Sequence, residues 1–435
     1  MTAHTPDAAQ IDASGDHSRN GPIVADVQPE PPRASKWLIS VFTITMFTGS
    51  FALLTPTLFA VAYKVQLVDP QGKETTLGVI FGISAAINLV TGPLFGVLSD
   101  RTRLRWGRRR PWITAGIVIC VGSGLLMALA TTTTLIGVGW IMYSMGVGCA
   151  LGAMNPVLAE TIPSSQRGTV GALVGVAGQL AGVTGTLAGG MLTGHLLLLF
   201  LLPVCVFAAL FALYAFTIPD RPAQATTDRQ ALSEVLRQLV FDPREHRDFA
   251  LVWLGRFLMQ VGLTFLSTYQ LYFLLDRLGL VPEEAGRQLA FVGGLGILVT
   301  TSFAIVGGVL SDRLKRRKVF IYLATALSAT GLIILAFADG IPLFATAVVF
   351  ILAAAGLFGS VDLALASDVI PDAAESGRWM GIYYVANTTS SAIAPIFAPV
   401  ILLIGGGKNY TALFLVGAVV ALGASLAARH IRAVR

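Results

Sequence analysis

The chain has 435 residues, of which 54% are hydrophobic and 12% are charged, and its mean hydropathy is +0.74. Soluble domains carry about twice that fraction of charged residues, so this composition excludes an ordinary soluble protein. The net charge of +6 is compatible with nucleic acid or anionic lipid as a partner, and the positions of the basic residues decide which.

The first 35 residues form a polar segment that contains five prolines. This composition predicts disorder, because too little apolar surface is available to offset the entropy lost on folding. The segment lacks the early apolar run of a signal peptide, so we expect the first apolar stretch to remain in the mature protein. Residues 1–35 are therefore predicted to be a disordered tail.

Twelve mostly apolar stretches follow, and each is long enough to cross a bilayer as a helix. They predict an all-α membrane protein with twelve transmembrane helices. The last turns of the fourth and tenth stretches are expected at the membrane interface. The stretches are Trp37–Tyr63, Thr76–Ser99, Pro111–Thr131, Leu135–Glu160, Gly168–Leu192, His195–Thr217, Phe249–Leu275, Gln288–Leu310, Val319–Ala338, Pro342–Ile370, Met380–Gly405 and Tyr410–Ala428.

Basic residues are concentrated in the loops on one side of the predicted membrane. When the N-terminal tail is assigned to the cytoplasm, 24 of the 30 Lys and Arg residues fall on the cytoplasmic side, 5 fall on the other side, and Arg256 lies within a span. Cytoplasmic loops of membrane proteins carry an excess of Lys and Arg, so both termini are predicted to be cytoplasmic. This bias accounts for the net charge without a nucleic-acid partner.

Residues 218–248 form the longest internal polar segment and separate two groups of six spans. The groups define an N-terminal half, residues 36–217, and a C-terminal half, residues 249–429, which is followed by a short tail at 430–435. Within the polar segment, ALSEVLRQLVFDP carries apolar residues at helical spacing. This pattern predicts a short amphipathic helix, either lying along the membrane surface or packed as a linker.

Two short sequences recur at equivalent points of the two halves. GVLSDR ends the second span at Gly96–Arg101 and the eighth span at Gly308–Arg313. AETIPSSQRG follows the fourth span and SDVIPDAAESGR follows the tenth, and each has an acid, a proline three residues later, and Arg and Gly nearby. The repeats predict two pseudo-symmetric six-helix bundles related by an axis along the membrane normal, a plan found in transporters.

The loop after the second span resembles the G-x-x-x-D-[RK]-x-G-[RK]-[RK] motif of the major facilitator superfamily, and the resemblance extends over residues 36–430. The matching residues are Gly96, Asp100, Arg101, Gly107, Arg108 and Arg109, with TRLRW standing where the motif has one residue. The second copy keeps Gly308, Asp312 and Arg313 and has Lys315 in place of a glycine. The longer form SDRTRLRWGRRRPW is similar to glycoside–pentoside–hexuronide symporters and sucrose–proton symporters.

This resemblance implies transport by alternating access between two six-helix bundles. In the family the loop motif gates the pathway and does not contact substrate, which assigns Asp100 and Asp312 to a clasp at the cytoplasmic ends of their helices. The alternative is that the basic residues of these loops only fix the orientation of the helices in the membrane.

Two further pairs, Glu160 with Arg167 and Asp368 with Arg378, are expected to belong to the same clasp or to be solvated interfacial ions of little energetic effect. AETIPSSQRG is also similar to a loop motif of sugar porters. In sucrose symporters an acid near this position resembles the proton acceptor, so Glu160 has a second candidate role in proton coupling.

Arg256 lies about seven residues inside the seventh span, where a charge is costly and usually functional. At 100° per residue it shares one face of the helix with Gln260, Ser267 and Gln270, which predicts a wall of an aqueous cavity and a substrate-binding role. The alternative for Arg256 alone is that its side chain extends to the cytoplasmic interface.

Asp362 is the other charge deep within a span. Burial makes a carboxyl group a candidate proton carrier unless a cation is close. A fixed ion pair between Asp362 and Arg256, holding spans 7 and 10 together, is an equally open alternative.

The other candidate substrate-binding residues are polar or aromatic. Asn155, Gln179 and Asn387 suit sugar hydroxyls, although amides in membranes more often bond helices to one another. Aromatic rings that could stack on a sugar are those of Tyr269, Tyr272, Tyr383 and Tyr384.

Other classes of function find no support in the sequence. The three cysteines lie in separate spans without CxxC spacing, so neither disulfides, a zinc site nor any other metal or cofactor is predicted. P-loop, H-E-x-x-H and G-x-S-x-G motifs are missing, which argues against an enzyme or an ATP-driven pump.

We expect a monomeric transporter of the plasma membrane, the bacterial inner membrane in particular, that takes up a sugar or glycoside with protons. Export of a small amphipathic metabolite or drug, and a non-transporting sensor, are the alternatives.

Overall fold

Twelve long apolar helices, α1 to α12, make up the computed structural model, which describes residues 33–217 and 241–432 apart from 103, 105, 106, 373, 374 and 406. Nearly all of the predicted disordered tail and most of the predicted amphipathic linker helix lie outside the described residues. The helices are Lys36–Val68, Lys73–Arg101, Arg110–Leu129, Thr133–Met154, Ser164–Met191, Leu196–Thr217, Arg247–Asp276, Pro282–Leu314, Arg317–Ala336, Ile341–Asp368, Ser376–Leu402 and Tyr410–Arg429.

Helix boundaries differ from the prediction where proline intervenes. The helix α4 was expected to continue to Glu160 but ends at Met154, because Pro156 has no N–H to continue the hydrogen-bond ladder. A separate short helix, Val157–Thr161, follows. Within α1, Pro56 begins a π-helical segment that ends at Ala60, a local irregularity of the kind that proline produces in a long helix.

The two halves repeat one packing pattern. In the N-terminal half α1 packs against α5 and α6, α3 against α4 and α6, and α2 against α4. In the C-terminal half α7 packs against α11 and α12, α9 against α10 and α12, and α8 against α10. Each contact therefore has a counterpart six helices later, and the predicted pair of pseudo-symmetric six-helix bundles is confirmed.

The halves meet along two seams, α2 against α11 and α5 against α8. The start of α1 and the end of α12 lie on the same side of the bundles, the terminal side, and the α1–α2 loop lies on the opposite side, the far side. In the first seam a Cβ atom at Gly78 would lie only 2.3 Å from the Pro395 carbonyl oxygen. In the second, a Cβ atom at Gly190 would lie 2.9 Å from the Cα atom of Gly286. Glycine thus allows the helices to approach closely at the far-side ends of both seams.

The repeated GVLSDR hexapeptides occupy equivalent positions. Asp100 lies in the last turn of α2 and Asp312 in the last turn of α8, so both are on the terminal side. The backbone after each copy turns through the left-handed region, at Gly107 with φ of 106° and at Lys315 with φ of 51°. Lysine is strained there because its Cβ atom crowds the backbone, whereas glycine is not.

We expect Lys315→Gly to stabilise the protein by about 0.5–1 kcal/mol. Relief of the left-handed strain contributes roughly 1–2 kcal/mol, and the larger entropy loss of glycine on folding offsets about half of it. The thermal unfolding midpoint of the purified protein in detergent measures the gain. Arg316→Gly is the matched control, since the backbone of Arg316 has a φ of −126° and holds no such strain. An equal rise in both variants would contradict the assignment of strain to Lys315.

Candidate transport pathway

Two neighbouring cavities of about 330 and 530 Å³ lie between the halves. Gln260 and Ser267 of α7 border both cavities, and Gln270 borders the smaller one. The polar face predicted for α7 therefore faces the space between the halves over these three residues. Cavities of this size are typical of sites for small molecules.

Polar residues of the N-terminal half complete the walls. Gln179 of α5 borders the smaller cavity, and Asn155, which caps α4, borders the larger one. Asn88 and Thr91 of α2 also border the larger cavity and were not singled out. An amide within an otherwise apolar span was the available signal for Asn88.

An aromatic pair lines the larger cavity. The rings of Phe81 and Trp140 stack with centroids 5.2 Å apart, and both residues border the cavity. Beside them, the hydroxyl groups of Ser84 and Ser144 share a hydrogen bond of 2.7 Å. The larger cavity thus presents aromatic surface next to hydroxyl and amide groups.

Three of the aromatic and amide candidates for substrate binding do not line either of the two cavities. Tyr269 and Tyr272 are fully buried, and their hydroxyl groups donate to backbone carbonyls at the seam between the halves, so in this conformation neither ring faces a cavity. Asn387 lies in α11 and borders neither of the two cavities.

Arg256 and Asp362 form an ion pair inside the C-terminal half. Arg256 Nη1 donates to Asp362 Oδ2 at 2.8 Å, and the side chains of these residues are 14% and 3% exposed. Asp362 was expected to be either a proton carrier or one member of a fixed ion pair with Arg256. This structure contains the ion pair. The pair joins α7 to α10, as expected for two charges that are each costly alone.

Tyr383 of α11 completes this buried cluster. Its hydroxyl group donates to Asp362 Oδ2 at 2.7 Å and accepts a hydrogen bond from Arg256. The Arg256 guanidinium also lies over the Tyr383 ring, 4.1 Å from the centroid, and 5.5 Å from that of Tyr384. The tyrosine proposed from sequence as a sugar-stacking residue therefore links three helices of one half.

A second charged cluster closes the far side. Lys73, at the start of α2, donates to Asp276 Oδ1 at 2.7 Å and to Gln66 Oε1 at 3.1 Å. Asp276, at the end of α7, also accepts from the Tyr410 hydroxyl at 2.8 Å and from Lys408 at 3.3 Å. In the sequence these charges stand out only as loop residues, and the structure shows that they join the two halves.

Further hydrogen bonds cross between the halves on the same side. The Tyr272 hydroxyl donates to the Ala62 carbonyl at 2.9 Å, and the Tyr269 hydroxyl lies 3.2 Å from the Glu74 carbonyl. The Thr193 hydroxyl donates to Glu283 at 2.5 Å. The structure is therefore a conformation in which the far side is closed.

On the terminal side, Arg317 links two of the predicted gating acids. Arg317 Nε lies 3.0 Å from Asp368 and its Nη2 lies 3.7 Å from Asp312, so the link joins residues of one half. Arg378, the expected partner of Asp368, lies 2.6 Å from Glu375. Arg317 was not predicted, because it lies in a run of basic residues that looks uniform.

The first copy of the motif is described in part. Arg109 is buried and donates to the Ser99 hydroxyl at 3.1 Å within the N-terminal half. Arg167 donates to the Ile162 carbonyl at 2.8 Å. The remaining members are Gly96 and Gly308 on the helices, the half-buried Arg108 and the exposed Arg313. The side chains of Asp100, Arg101 and Glu160 lie outside the described part of the chain.

Comparison with curated proteins finds short matches to transporters. The chain is 31% identical over 91 residues to the inner membrane symporter YicJ of Escherichia coli, and 29% identical over 90 residues to the isoprimeverose transporter of Lactiplantibacillus pentosus. It is 30% identical over 109 residues to a human membrane-associated transporter protein. These matches cover 18–23% of this chain and 19–20% of the relatives.

Solved structures match over almost the whole fold. The nucleoside transporter NupG superposes with a TM-score of 0.72 at 13% identity, over 91% of this chain and 98% of its own. A bacterial homologue of the human lysosomal transporter Spinster, inward-facing and unoccupied, superposes with a TM-score of 0.69 at 13% identity, over 91% and 98%. At these identities the likeness concerns the fold alone.

The sequence profile of the Major Facilitator Superfamily matches residues 37–371 and 252–434. The two matches together extend over nearly all of the described helices. They agree with the twelve-helix fold, the paired bundles and the cavities between them. The chain is a multi-pass membrane transporter, not an enzyme, and it belongs to the Major Facilitator Superfamily.

Proposed function

We propose that this protein takes up a sugar or glycoside together with protons by alternating access. The observation that carries the proposal is the composition of the larger cavity, where the Phe81–Trp140 pair adjoins amide and hydroxyl groups. A relative named as an isoprimeverose transporter and another named as a symporter support the same class of substrate and coupling.

The chemistry of a sugar suits this cavity. Each sugar hydroxyl both donates and accepts a hydrogen bond, and an amide such as Gln260 or Asn88 offers both functions. The flat apolar face of a pyranose ring packs against an aromatic ring, and the cavity is bordered by Phe81 and Trp140. The cavity walls therefore hold both kinds of contact that a sugar requires.

Proton coupling is assigned to the acids proposed from sequence, Asp362 and Glu160. Asp362 can accept a proton when a change in the α7–α10 contact moves Arg256 away from it. The proton then replaces the Arg256 cation as the group that neutralises the buried carboxylate. We further propose that the terminal side faces the cytoplasm of a bacterial inner membrane, in line with the distribution of basic residues.

Uptake into proteoliposomes with an imposed pH gradient tests the proposal. We expect a radiolabelled sugar to accumulate when the compartment on the far side is acidic, and a panel of mono- and disaccharides, glycosides and nucleosides identifies the class. Accumulation of nucleosides alone would contradict the sugar assignment. Proton-driven extrusion of an amphipathic compound would instead support the exporter.

Gln260→Ala should weaken binding of the transported sugar about tenfold, since a sugar hydroxyl loses a hydrogen-bond partner in a buried site. Equilibrium binding to the purified protein measures the effect. Gln288→Ala in α8 is the matched control, because Gln288 borders neither cavity. Unchanged affinity in Gln260→Ala would contradict the proposal that the polar face of α7 contacts the sugar.

A further inference from the structure

Glu74 is a buried acid that the transport pathway described above does not use. It lies in the first turn of α2 and is 8% exposed, and its Oε1 atom is buried with no hydrogen-bond partner among the residues that the structure describes. An ionised carboxylate is costly to bury in this way, because its Oε1 atom loses water and gains no hydrogen bond in return.

The side-chain donors around Glu74 are engaged elsewhere. Lys73 bonds Asp276 and Gln66 and lies over the Tyr272 ring, 4.7 Å from the centroid. The charged and titratable groups that face Glu74 from α2, α7, the α11–α12 loop and α12 are Lys73, Tyr269, Tyr272, Asp276, Lys408 and Tyr410. Both lysines contact Asp276, and the hydroxyl groups of the three tyrosines donate to Asp276 or to backbone carbonyls.

Glu74 also lies on the seam that has to part when the far side opens. Its own backbone carbonyl accepts from Tyr269 of the other half, and one turn later Gly78 packs against the Pro395 carbonyl. Separation of α2 from α7 and α11 would expose the Glu74 carboxyl group to water. Closure would bury it again, on the far-side boundary of the pathway and outside the walls of both cavities.

We propose that Glu74 is a proton-binding site of the far side that must be protonated before the two halves close over it. The carboxylate takes a proton from water on the far side when the seam is open, and the neutral acid is the form that is buried. On reopening, the proton returns to the same compartment. The proton therefore sets the balance between the two conformations and is not carried across the membrane.

This inference rests on alternating access, as proposed above, and is independent of the substrate and of the coupling ion. Because the closed state holds one more proton than the open state, raising the far-side pH favours opening. For one fully coupled proton, the ratio of open to closed molecules rises by up to roughly tenfold per pH unit.

Spin labels on the far side measure that ratio directly. We place one label at Thr131 in the α3–α4 loop and one at Asp339 in the equivalent α9–α10 loop, in a Cys205→Ser background that leaves only the two buried cysteines. Distance distributions are recorded in lipid nanodiscs without substrate from about pH 5 to about pH 8. We expect the long-distance, open population to grow with pH.

Glu74→Gln should abolish this response and hold the far side closed throughout the pH range, since glutamine mimics the neutral acid. Glu284→Gln, which removes an acid from the first turn of α8, is the matched control and should respond like the parent. In proteoliposomes, a pH change on the terminal side alone should have no effect.

A parent protein whose far-side distances do not change with pH would overturn the proposal, and so would a full response in Glu74→Gln. The parent titration needs no substitution at Glu74, so misfolding of that variant does not leave the question open. Because no substrate is present, failure here is distinct from failure of sugar uptake.

Discussion

Asp362→Asn and Arg256→Gln are each expected to destabilise the protein by about 3 kcal/mol, because breaking a buried ion pair leaves one charge without its partner. The Arg256–Asp362 distance of 2.8 Å and the near-complete burial of Asp362 place the pair in this class. Thermal unfolding and the yield of folded protein measure the loss. The double variant should recover most of the stability, because neither charge remains.

The double variant also separates a structural pair from a proton carrier. If Asp362 carries the proton, the double variant should equilibrate sugar across the membrane without concentrating it against a gradient. Restored concentrative uptake would show that Asp362 does not carry the coupled proton. Arg378→Gln with Glu375→Gln is the matched control pair, since both side chains are partly exposed and such pairs contribute little to stability. Purely additive losses at Arg256 and Asp362 would contradict their coupling.

Gly78→Ala is expected to reduce transport at least about tenfold and to hold the far side open, because the seam tolerates no side chain at this position. An added Cβ atom would lie 2.3 Å from the Pro395 carbonyl oxygen and 2.8 Å from the Tyr269 hydroxyl oxygen. Both contacts come from the opposite half. Each bundle can therefore fold as before, while their closure on the far side is obstructed.

The spin-label pair at Thr131 and Asp339 measures this effect at low pH, where the parent is expected to be closed. Gly122→Ala in α3 is the control, because a Cβ atom there would meet nothing within 4 Å. We expect the open population to dominate in Gly78→Ala and to match the parent in Gly122→Ala. A closed far side in Gly78→Ala would mean that the α2–α11 seam can shift to accommodate a methyl group.

The membrane makes the fold of this chain highly predictable, because lipid requires continuous apolar helices whose length matches the bilayer. Boundaries were less predictable where a helix extends beyond the apolar core. The helix α8 begins at Pro282 rather than at Gln288, since proline and two acids suit the first turn of a helix.

The candidate site was predictable in part, according to how far each argument depended on one helix. The polar face of α7 follows from helical periodicity alone, and Arg256 and Asp362 were paired because an isolated charge is costly in a membrane. Contacts that link helices from different halves, such as Lys73 with Asp276, left no local signal. Tyr383 resembled a stacking residue because sequence does not reveal where its hydroxyl group points.

The two seams between the halves are related to each other by the internal symmetry of the fold. The pseudo-twofold axis that relates the halves exchanges α2 with α8 and α5 with α11, so it converts the α2–α11 seam into the α5–α8 seam. That reciprocity is the defining property of an isologous interface, in which the same surface serves both partners. A polypeptide of half this length, associated with a second copy of itself, would form both seams at once. The present chain therefore has the architecture of an isologous homodimer whose two subunits are joined in one polypeptide.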